Sequence, residues 1–186
     1  MTTEQQYFDK AISIQEYMDK MTTHKDNSFK VYNSYELPKD AEFIALLAAE
    51  KPHILTITED WCGDAMMNNP IIRKIAEAAN LEMRCVYRDE NLELMDQYLT
   101  NGGRSIPVYI ILSEAGEVIG KWGPRAPQLQ EYVLAKKAIL PAQDDPTFAD
   151  KQKELFAAIT EENASKEEFW GWVYDDFRKV VTNTLK

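Results

Sequence analysis

Apolar residues recur along the chain with two different spacings, and these spacings predict where helices and strands lie. Apolar residues three and four positions apart predict one amphipathic helix over residues 3–21. Residues 22–28 are polar and predict a loop, whereas residues 29–32 predict a short edge strand or an extended connection. Residues 41–49 are rich in apolar side chains and stop before a Lys-Pro pair, which predicts a second helix.

The middle of the chain alternates between strand patterns and helix patterns. Residues 53–58 are an apolar, β-branched run that predicts a central strand. Three further strands are predicted over residues 82–88, 108–112 and 118–122. The predicted helices among them cover residues 64–79, 92–99 and 127–140. Strands that alternate with helices are typical of an α/β fold.

Two more helices are predicted after a polar link at residues 143–146. The last helix, over residues 165–181, begins with a predicted capping box of Ser165 and Glu168. One side of this helix carries an aromatic stripe, which consists of Phe169, Trp172, Val173, Phe177, Val180 and Val181. We expect the stripe to pack on its own domain. The alternative is a homodimer or partner surface, because exposed aromatic patches mark interfaces.

The elements predict one domain over residues 1–186. In this interpretation, residues 1–40 are a helical N-terminal extension, residues 41–140 are the core, and residues 141–186 are C-terminal helices. A chain of 186 residues with 45% hydrophobic residues is long enough to bury one core.

The composition and the net charge argue against several classes of binding partner. A net charge of −10 argues against nucleic acid and anionic membranes, because phosphates would be repelled. No apolar run approaches the roughly 20 residues that a membrane-spanning helix needs. Residues 1–20 are polar and of mixed charge, which argues against a signal peptide. Two cysteines in such a composition indicate a reducing compartment, so we expect the cytoplasm.

The candidate chemistry lies where the central strand turns into the next helix. Cys62 falls at that corner, where unpaired N–H groups and the helix dipole favour a thiolate, and we expect it to be exposed and reactive. Three carboxylates, of Glu59, Asp60 and Asp64, disfavour the thiolate. No Lys, Arg or His lies within four residues of Cys62, so the sequence does not predict an unusually acidic thiol.

The corner resembles the active site of thioredoxins. Trp61-Cys62-Gly63-Asp64 is similar to their Trp-Cys-Gly-X-Cys motif, and Pro70 stands where they carry a proline in the following helix. Residues 103–107, which end in Pro107, resemble their cis-proline loop. The resemblance covers residues 53–139 and implies an α/β thioredoxin-like fold, with a central mixed sheet flanked by helices.

Two positions depart from the thioredoxin pattern. Ala65 stands where thioredoxins have their second cysteine, and Thr56 stands where they have a buried aspartate. A second thiol releases the enzyme from a mixed disulfide, so its absence points to a monothiol cycle that an external thiol completes. Ala65 could equally be an engineered trap for that intermediate.

The resemblance assigns roles to the residues around the motif. Cys62 is the expected nucleophile, with a protein or low-molecular-weight disulfide as its substrate. The expected substrate-binding residues are Trp61, Gly63, Asp64, Ile106 and Pro107. Among these, Pro107 is predicted cis, the backbone of Ile106 is expected to pair with an extended substrate, and Asp64 is a candidate proton acceptor.

Several alternatives remain open at this stage. Cys85 is predicted to be a core residue, and the alternative is a resolving thiol for Cys62. A redox-inactive binding module is the main alternative function, and a small glutathione-transferase-like protein ranks last. His24 and His53 lie far apart, so the spacing predicts no metal site and no cofactor.

Overall fold

The structure is a computed structural model that describes residues 1–186. Its helices are α1 (Glu4–Lys10), α2 (Ile14–Lys20), α3 (Lys25–Ser34), α4 (Ala41–Glu50), α5 (Gly63–Ala78), α6 (Leu92–Met95), α7 (Pro127–Lys137), α8 (Phe148–Asn163) and α9 (Glu167–Leu185). Its strands are β1 (Ile12–Ser13), β2 (His53–Thr58), β3 (Met83–Tyr87), β4 (Val108–Leu112) and β5 (Val118–Trp122). None of the helices is long and apolar enough to cross a membrane.

The five strands form one mixed sheet in the order β1-β3-β2-β4-β5. The central strand β2 runs parallel to β3 and antiparallel to β4. Strand β5 pairs with β4 through a hairpin, and β1 pairs with the other edge at β3. This mixed sheet between helices confirms the predicted fold class, and the strand predictions for the core were correct to within one residue at each end.

Successive residues of β2 point into two different apolar clusters. Ile54 belongs to the larger one, which also takes in the apolar faces of α2, α3, α4, α5 and α9. Leu55 and Ile57 belong to the smaller one, together with side chains of α1 and α6. Because both faces of β2 are covered, the strand is apolar or uncharged throughout, as expected for a central strand.

The first forty residues differ from the sequence prediction. The single helix expected over 3–21 is broken, because Ile12 and Ser13 leave the helix to pair with β3. Ser13 then caps α2 by accepting a hydrogen bond from the Glu16 N–H at 3.1 Å. The helical extension therefore also supplies an edge strand of the sheet, a long-range pairing that local periodicity does not report.

The predicted loop over 22–28 and the predicted strand over 29–32 are wrong, since most of this segment is α3. The buried face of α3 carries Ser28 and Val31. The Ser28 hydroxyl donates a hydrogen bond to the Met66 carbonyl oxygen at 3.0 Å, which ties α3 to α5. The other polar residues of the segment are exposed or half-buried, so packing against α5 decides the helix.

The aromatic stripe of α9 packs inside the chain. Phe169, Val173, Phe177 and Val181 are buried, and the ring of Phe177 lies 5.7 Å from that of Trp122 on β5. A dimer through the stripe would have to compete with this packing, so the structure supports self-packing over the homodimer alternative. The predicted capping box is wrong, because the Ser165 hydroxyl donates to the Glu161 carbonyl and no side chain caps α9.

An ion pair ties α9 to the start of α4. Asp40 caps α4 by accepting from the Phe43 N–H, and it also accepts from Arg178 and, at 2.8 Å, from the Tyr174 hydroxyl. The hydrogen bond from Arg178 is the largest cause that holds the pKa of Asp40 at about 2, below the usual carboxyl value.

We predict that Asp40→Asn destabilises the protein by about 1–3 kcal/mol, because a charged hydrogen-bonding partner is lost. The folded pKa lies below the unfolded value, so the stabilisation is present above the unfolded pKa and is lost as the pH falls towards 2. Urea unfolding at neutral pH and at acid pH measures both effects. Asp144→Asn, at an exposed residue without a hydrogen bond or ion pair, is the matched control. Equal midpoints for the two variants would contradict the assignment.

Candidate active site

Cys62 is the N-cap of α5, and its sulfur lies between two backbone groups. The Ala65 N–H donates to Sγ at 3.5 Å, which satisfies one of the free donors at the start of the helix. The thiol in turn donates to the carbonyl oxygen of Ile106 at 3.5 Å. The structure thus brings the predicted nucleophile and the predicted backbone contact together.

The expectation that the corner exposes Cys62 is wrong. The residue is only 9% exposed, and it belongs to the smaller apolar cluster with Ala65 and Ile106. The loop that carries Ile106 folds over the thiol, a contact between positions 44 apart in sequence. The sequence around the corner alone could not predict that this distant loop buries Cys62.

Burial decides the protonation of the thiol. It is the largest cause that raises the pKa of Cys62 to about 11, and the charge of Asp64 is the second. The backbone N–H groups of Ala65 and Asp64 and the guanidinium of Arg125 act in the opposite direction without cancelling the rise. In the free protein at neutral pH, Cys62 is therefore a protonated thiol.

The other two carboxylates of the corner are held by neighbouring segments. Asp60 accepts from the backbone N–H groups of Thr22 and Thr23 at 2.9 and 3.1 Å. Glu59 accepts from the Asp89 N–H at 3.0 Å. Both therefore fix the corner to neighbouring segments, and Asp64 is the carboxylate that does most to raise the pKa of Cys62.

Asp64 is paired with an arginine that the sequence analysis missed. The Arg125 Nε lies 3.0 Å from the Asp64 carboxylate, and the two side chains are only 19% and 13% exposed. Burial raises the pKa of Asp64 although Arg125 acts to lower it. The two residues are 61 positions apart, so no local spacing could have predicted the pair.

Two cis-proline peptides meet beside the thiol. The Ile106–Pro107 peptide is cis, as predicted, and the Gly123–Pro124 peptide is also cis. Gly123 has φ of +115°, and a Cβ at this position would collide with the Pro107 carbonyl oxygen. Glycine is therefore required where the loop after β5 passes over the loop before β4.

Helix α8 reaches the motif from the C-terminal part of the chain. The Asn163 side chain donates to the Gly63 carbonyl at 3.2 Å, and a Cβ on Gly63 would lie 2.7 Å from Thr160 Oγ1. Trp61 beside it is 48% exposed, with the Arg88 guanidinium 4.9 Å from the centre of its ring. Gly63 thus allows the helix to approach the motif, which makes the C-terminal segment part of the site.

A comparison with known protein families identifies the family of this chain. A family model described as Thioredoxin matches residues 11–144. The chain belongs to the thioredoxin family. The match begins before β1, so it includes part of the segment that we interpreted as an N-terminal extension.

Two solved structures share the fold over nearly their whole length. A protein of unknown function from Pseudomonas aeruginosa has a TM-score of 0.63 at 15% identity, covering 95% of this chain and 99% of that one. An HIV epitope scaffold has a TM-score of 0.57 at 16% identity, covering 93% and 98%. At these identities the similarity establishes the fold alone. The two similarities cover more of the chain than the family match over residues 11–144 does.

The two departures from the thioredoxin pattern are buried. Ala65, which occupies the position of the second cysteine of thioredoxins, is 1% exposed, and its N–H contacts the Cys62 sulfur. Thr56 is fully buried on β2, in register with Cys85 on β3. Cys85 belongs to the larger apolar cluster, whereas Cys62 belongs to the smaller one, and burial raises the pKa of Cys85. This supports the core interpretation of Cys85 over the resolving-thiol alternative.

A buried polar network, also missed by the sequence analysis, holds α5 on the sheet of this thioredoxin-family protein. The Tyr109 hydroxyl donates to Asn69 at 2.6 Å, and the Asn69 amide donates to the Thr58 hydroxyl at 3.1 Å. The Tyr17 hydroxyl lies 3.1 Å from the same Thr58 oxygen. All four side chains are almost fully buried, so the network fixes the helix that carries Cys62 relative to β2 and β4.

Two clefts flank the motif. One, of about 810 Å³, is bounded by the two cis-proline loops and has Cys62 and Trp61 in its wall. The other, of about 670 Å³, lies between the motif and α8. Both clefts are lined by Trp61, Cys62, Asp64 and Arg125, so Cys62 lies in the wall of each and the ion pair borders both.

We predict that Asp64→Asn and Arg125→Gln shift the pKa of Cys62 in opposite directions. Removing the Asp64 charge lowers the pKa and speeds alkylation at neutral pH, whereas removing the Arg125 charge raises it and slows alkylation. About one unit each way, tenfold in rate, is the expected size for a charge this close. The pH dependence of iodoacetamide alkylation, in a Cys85→Ala background, measures both shifts. Shifts of the same sign would show that disruption of the pair, not charge, dominates.

Proposed function

We propose that the protein is a monothiol thiol–disulfide oxidoreductase that acts through Cys62. The observation that carries the proposal is the position of Sγ. The sulfur caps α5 and faces the backbone of Ile106, next to the cis Pro107, in the wall of a cleft. In this arrangement a disulfide that enters the cleft lies beside both the nucleophile and the backbone that would hold it.

The exchange begins with loss of the Cys62 proton to water or to Asp64, the neighbouring carboxylate whose pKa is raised by burial. The thiolate then attacks one sulfur of the substrate. A Cys62–substrate S–S bond forms as the substrate's own S–S bond breaks, and the second sulfur leaves with the electron pair as a thiolate. Reduction is completed when an external low-molecular-weight thiol attacks the mixed disulfide and frees Cys62.

The remaining site residues bind rather than react. Trp61 supplies an exposed aromatic wall, and Gly63 leaves room for α8. The N–H of Ile106 has no acceptor within the chain, so it is available to pair with the backbone of an extended substrate. The cis Pro107 follows Ile106 directly and sets the course of the loop that carries the Ile106 N–H. Both cysteines are free, which suits a reducing compartment such as the cytoplasm.

A second candidate function, a binding module without redox activity, is favoured by one specific observation. A pKa of about 11 leaves roughly one Cys62 in ten thousand as thiolate at pH 7. Such a thiol is a slow nucleophile, and the partner of a binding module would then use the same cleft without covalent exchange. The two functions differ in whether a mixed disulfide forms on a useful timescale.

We predict that Cys62 forms a mixed disulfide with hydroxyethyl disulfide, at a rate that rises about tenfold per pH unit until it levels near pH 11. The sign follows from the raised pKa, because only the thiolate attacks. Intact-mass measurements on the Cys85→Ala protein report the single adduct, and Cys62→Ser in the same background is the control. A rate at pH 7 no faster than that of a small-molecule thiol of equal pKa would favour the binding module.

We predict that Ala65→Cys converts the monothiol site into a dithiol one. The Ala65 N–H already contacts Sγ of Cys62, so a thiol at position 65 lies within reach of a mixed disulfide there. In the Cys85→Ala background, the parent protein should retain the adduct, whereas the variant should release it and lose two hydrogen masses. An adduct that persists in the variant would show that position 65 is out of reach, and release from the parent without an external thiol would argue against the monothiol cycle. Urea unfolding checks that the added sulfur is accommodated.

A further inference from the structure

The cleft between the two cis-proline loops is lined by cations, although the chain as a whole is acidic. Its wall contains Arg88, Arg104, Arg125 and Lys137 but a single carboxylate, that of Asp64. The net charge of the whole chain is −10. Asp89 and Asp96, which pair with Arg88 and Arg104, lie outside this wall, so the groups that line the cleft are mainly cationic. A concave cationic surface concentrates anions locally, even when the rest of the protein repels them.

Each of the three guanidinium groups is held in place and keeps an unused donor. Arg104 uses Nε and Nη2 on Asp96, at 2.7 and 3.0 Å, which leaves Nη1. Arg125 uses Nε on Asp64 and Nη1 on Gln130, which leaves Nη2.

Arg88 follows the same pattern. It uses Nε on Asp89 and Nη1 on the Arg104 carbonyl oxygen, which leaves Nη2. Because their partners fix the planes of the three groups, the free N–H groups are preorganised for a ligand with acceptor oxygens.

Lys137 adds a cation without a carboxylate partner. Its ammonium lies 5.3 Å from the centre of the Phe156 ring, and no carboxylate is within ion-pair distance. Together the four groups face a cleft of about 810 Å³, a volume typical of sites for small molecules. The Cys62 residue in the wall of the cleft is 9% exposed, which limits contact with the thiol to slender groups.

We propose that this cleft binds a low-molecular-weight disulfide or thiol that carries carboxylate or phosphate groups. The guanidinium groups and Lys137 hold the anionic groups while Cys62 exchanges with the sulfur. The inference rests on the proposed function and names its substrate class. In the step itself, the Cys62 thiolate bonds to one substrate sulfur, the other sulfur leaves as a thiolate, and a second molecule of the anionic thiol later frees Cys62.

Three aliphatic disulfides that differ in charge test the proposal. Dithiodipropionate is a dianion, hydroxyethyl disulfide is neutral, and cystamine is a dication. Rates of adduct formation with the Cys85→Ala protein are divided by the rates for mercaptoethanol with the same disulfide. We predict that the dianion reacts about tenfold faster than the dication at low ionic strength, and that added salt reduces this preference.

Charge removal at the cleft supplies the matched comparison. Lys137→Gln and Arg104→Gln should each reduce the preference for the dianion about threefold, the effect of one partly exposed charge. Lys51→Gln is the control, because Lys51 precedes β2 at the end of the sheet away from Cys62 and pairs with Glu114 at 3.6 Å. It removes the same charge from the chain and should leave the preference unchanged. Equal effects of all three variants would indicate net charge alone and overturn the inference.

The outcomes separate this inference from the proposed function. If all three disulfides react and the dication is fastest, the exchange function stands and the anionic substrate class is wrong. If none reacts, the exchange function fails, and NMR titration of the Cys62→Ser protein with succinate and with pyrophosphate still tests the site. Shifts of the Arg88, Arg104 and Arg125 side-chain N–H signals support it, and the tighter ligand identifies the anionic group. Unchanged signals with both ligands overturn it.

Discussion

The site depends on the fixation of the short corner between the central strand and α5. The corner has no regular structure, yet two of its carboxylates accept hydrogen bonds from backbone N–H groups of separate segments. Asp60 accepts from residues 22–23, and Glu59 accepts from Asp89. Below it, the network from Tyr17 through Thr58 and Asn69 to Tyr109 fixes the helix on the sheet. The position of a cysteine that caps a helix depends on the strand before it and the helix after it. Here hydrogen bonds of polar side chains hold both elements in place.

The electrostatics of Cys62 show which of two opposing effects is larger. A helix N-terminus favours a thiolate by about 0.3–1 kcal/mol. The rise of its pKa from the ordinary thiol value of 9.0 to about 11 corresponds to roughly 3 kcal/mol in the other direction. Burial under the Ile106 loop therefore outweighs the helix terminus, and Asp64 adds to it. At neutral pH only a small fraction of Cys62 is thiolate in the free protein, so any activity through this thiol depends on that fraction or on a lower pKa once a substrate is bound.

The sequence was sufficient where the signal is local. The strand at residues 53–58, the helix that follows and the cis Pro107 were predicted because apolar periodicity and the motif lie within a few residues of the feature that they report. It failed at β1 and α3, where pairing with β3 and packing on α5 override the local pattern. It also missed Arg125 and the approach of α8, since both reach Cys62 from distant parts of the chain.

The clefts beside Cys62 bear on how a site without a second cysteine would complete thiol–disulfide exchange. A dithiol site must release its substrate by attack from its own second thiol, whereas a monothiol site must admit an external thiol to the mixed disulfide. Here the second position is a buried alanine, and Cys62 lies in the walls of two clefts, the cationic one and the one beside α8. In the proposed cycle the substrate and the external thiol both enter the cationic cleft, so the charge of that cleft would select the two reactants together. The buried alanine at position 65 and the cationic cleft beside Cys62 are thus both consistent with the proposed monothiol cycle.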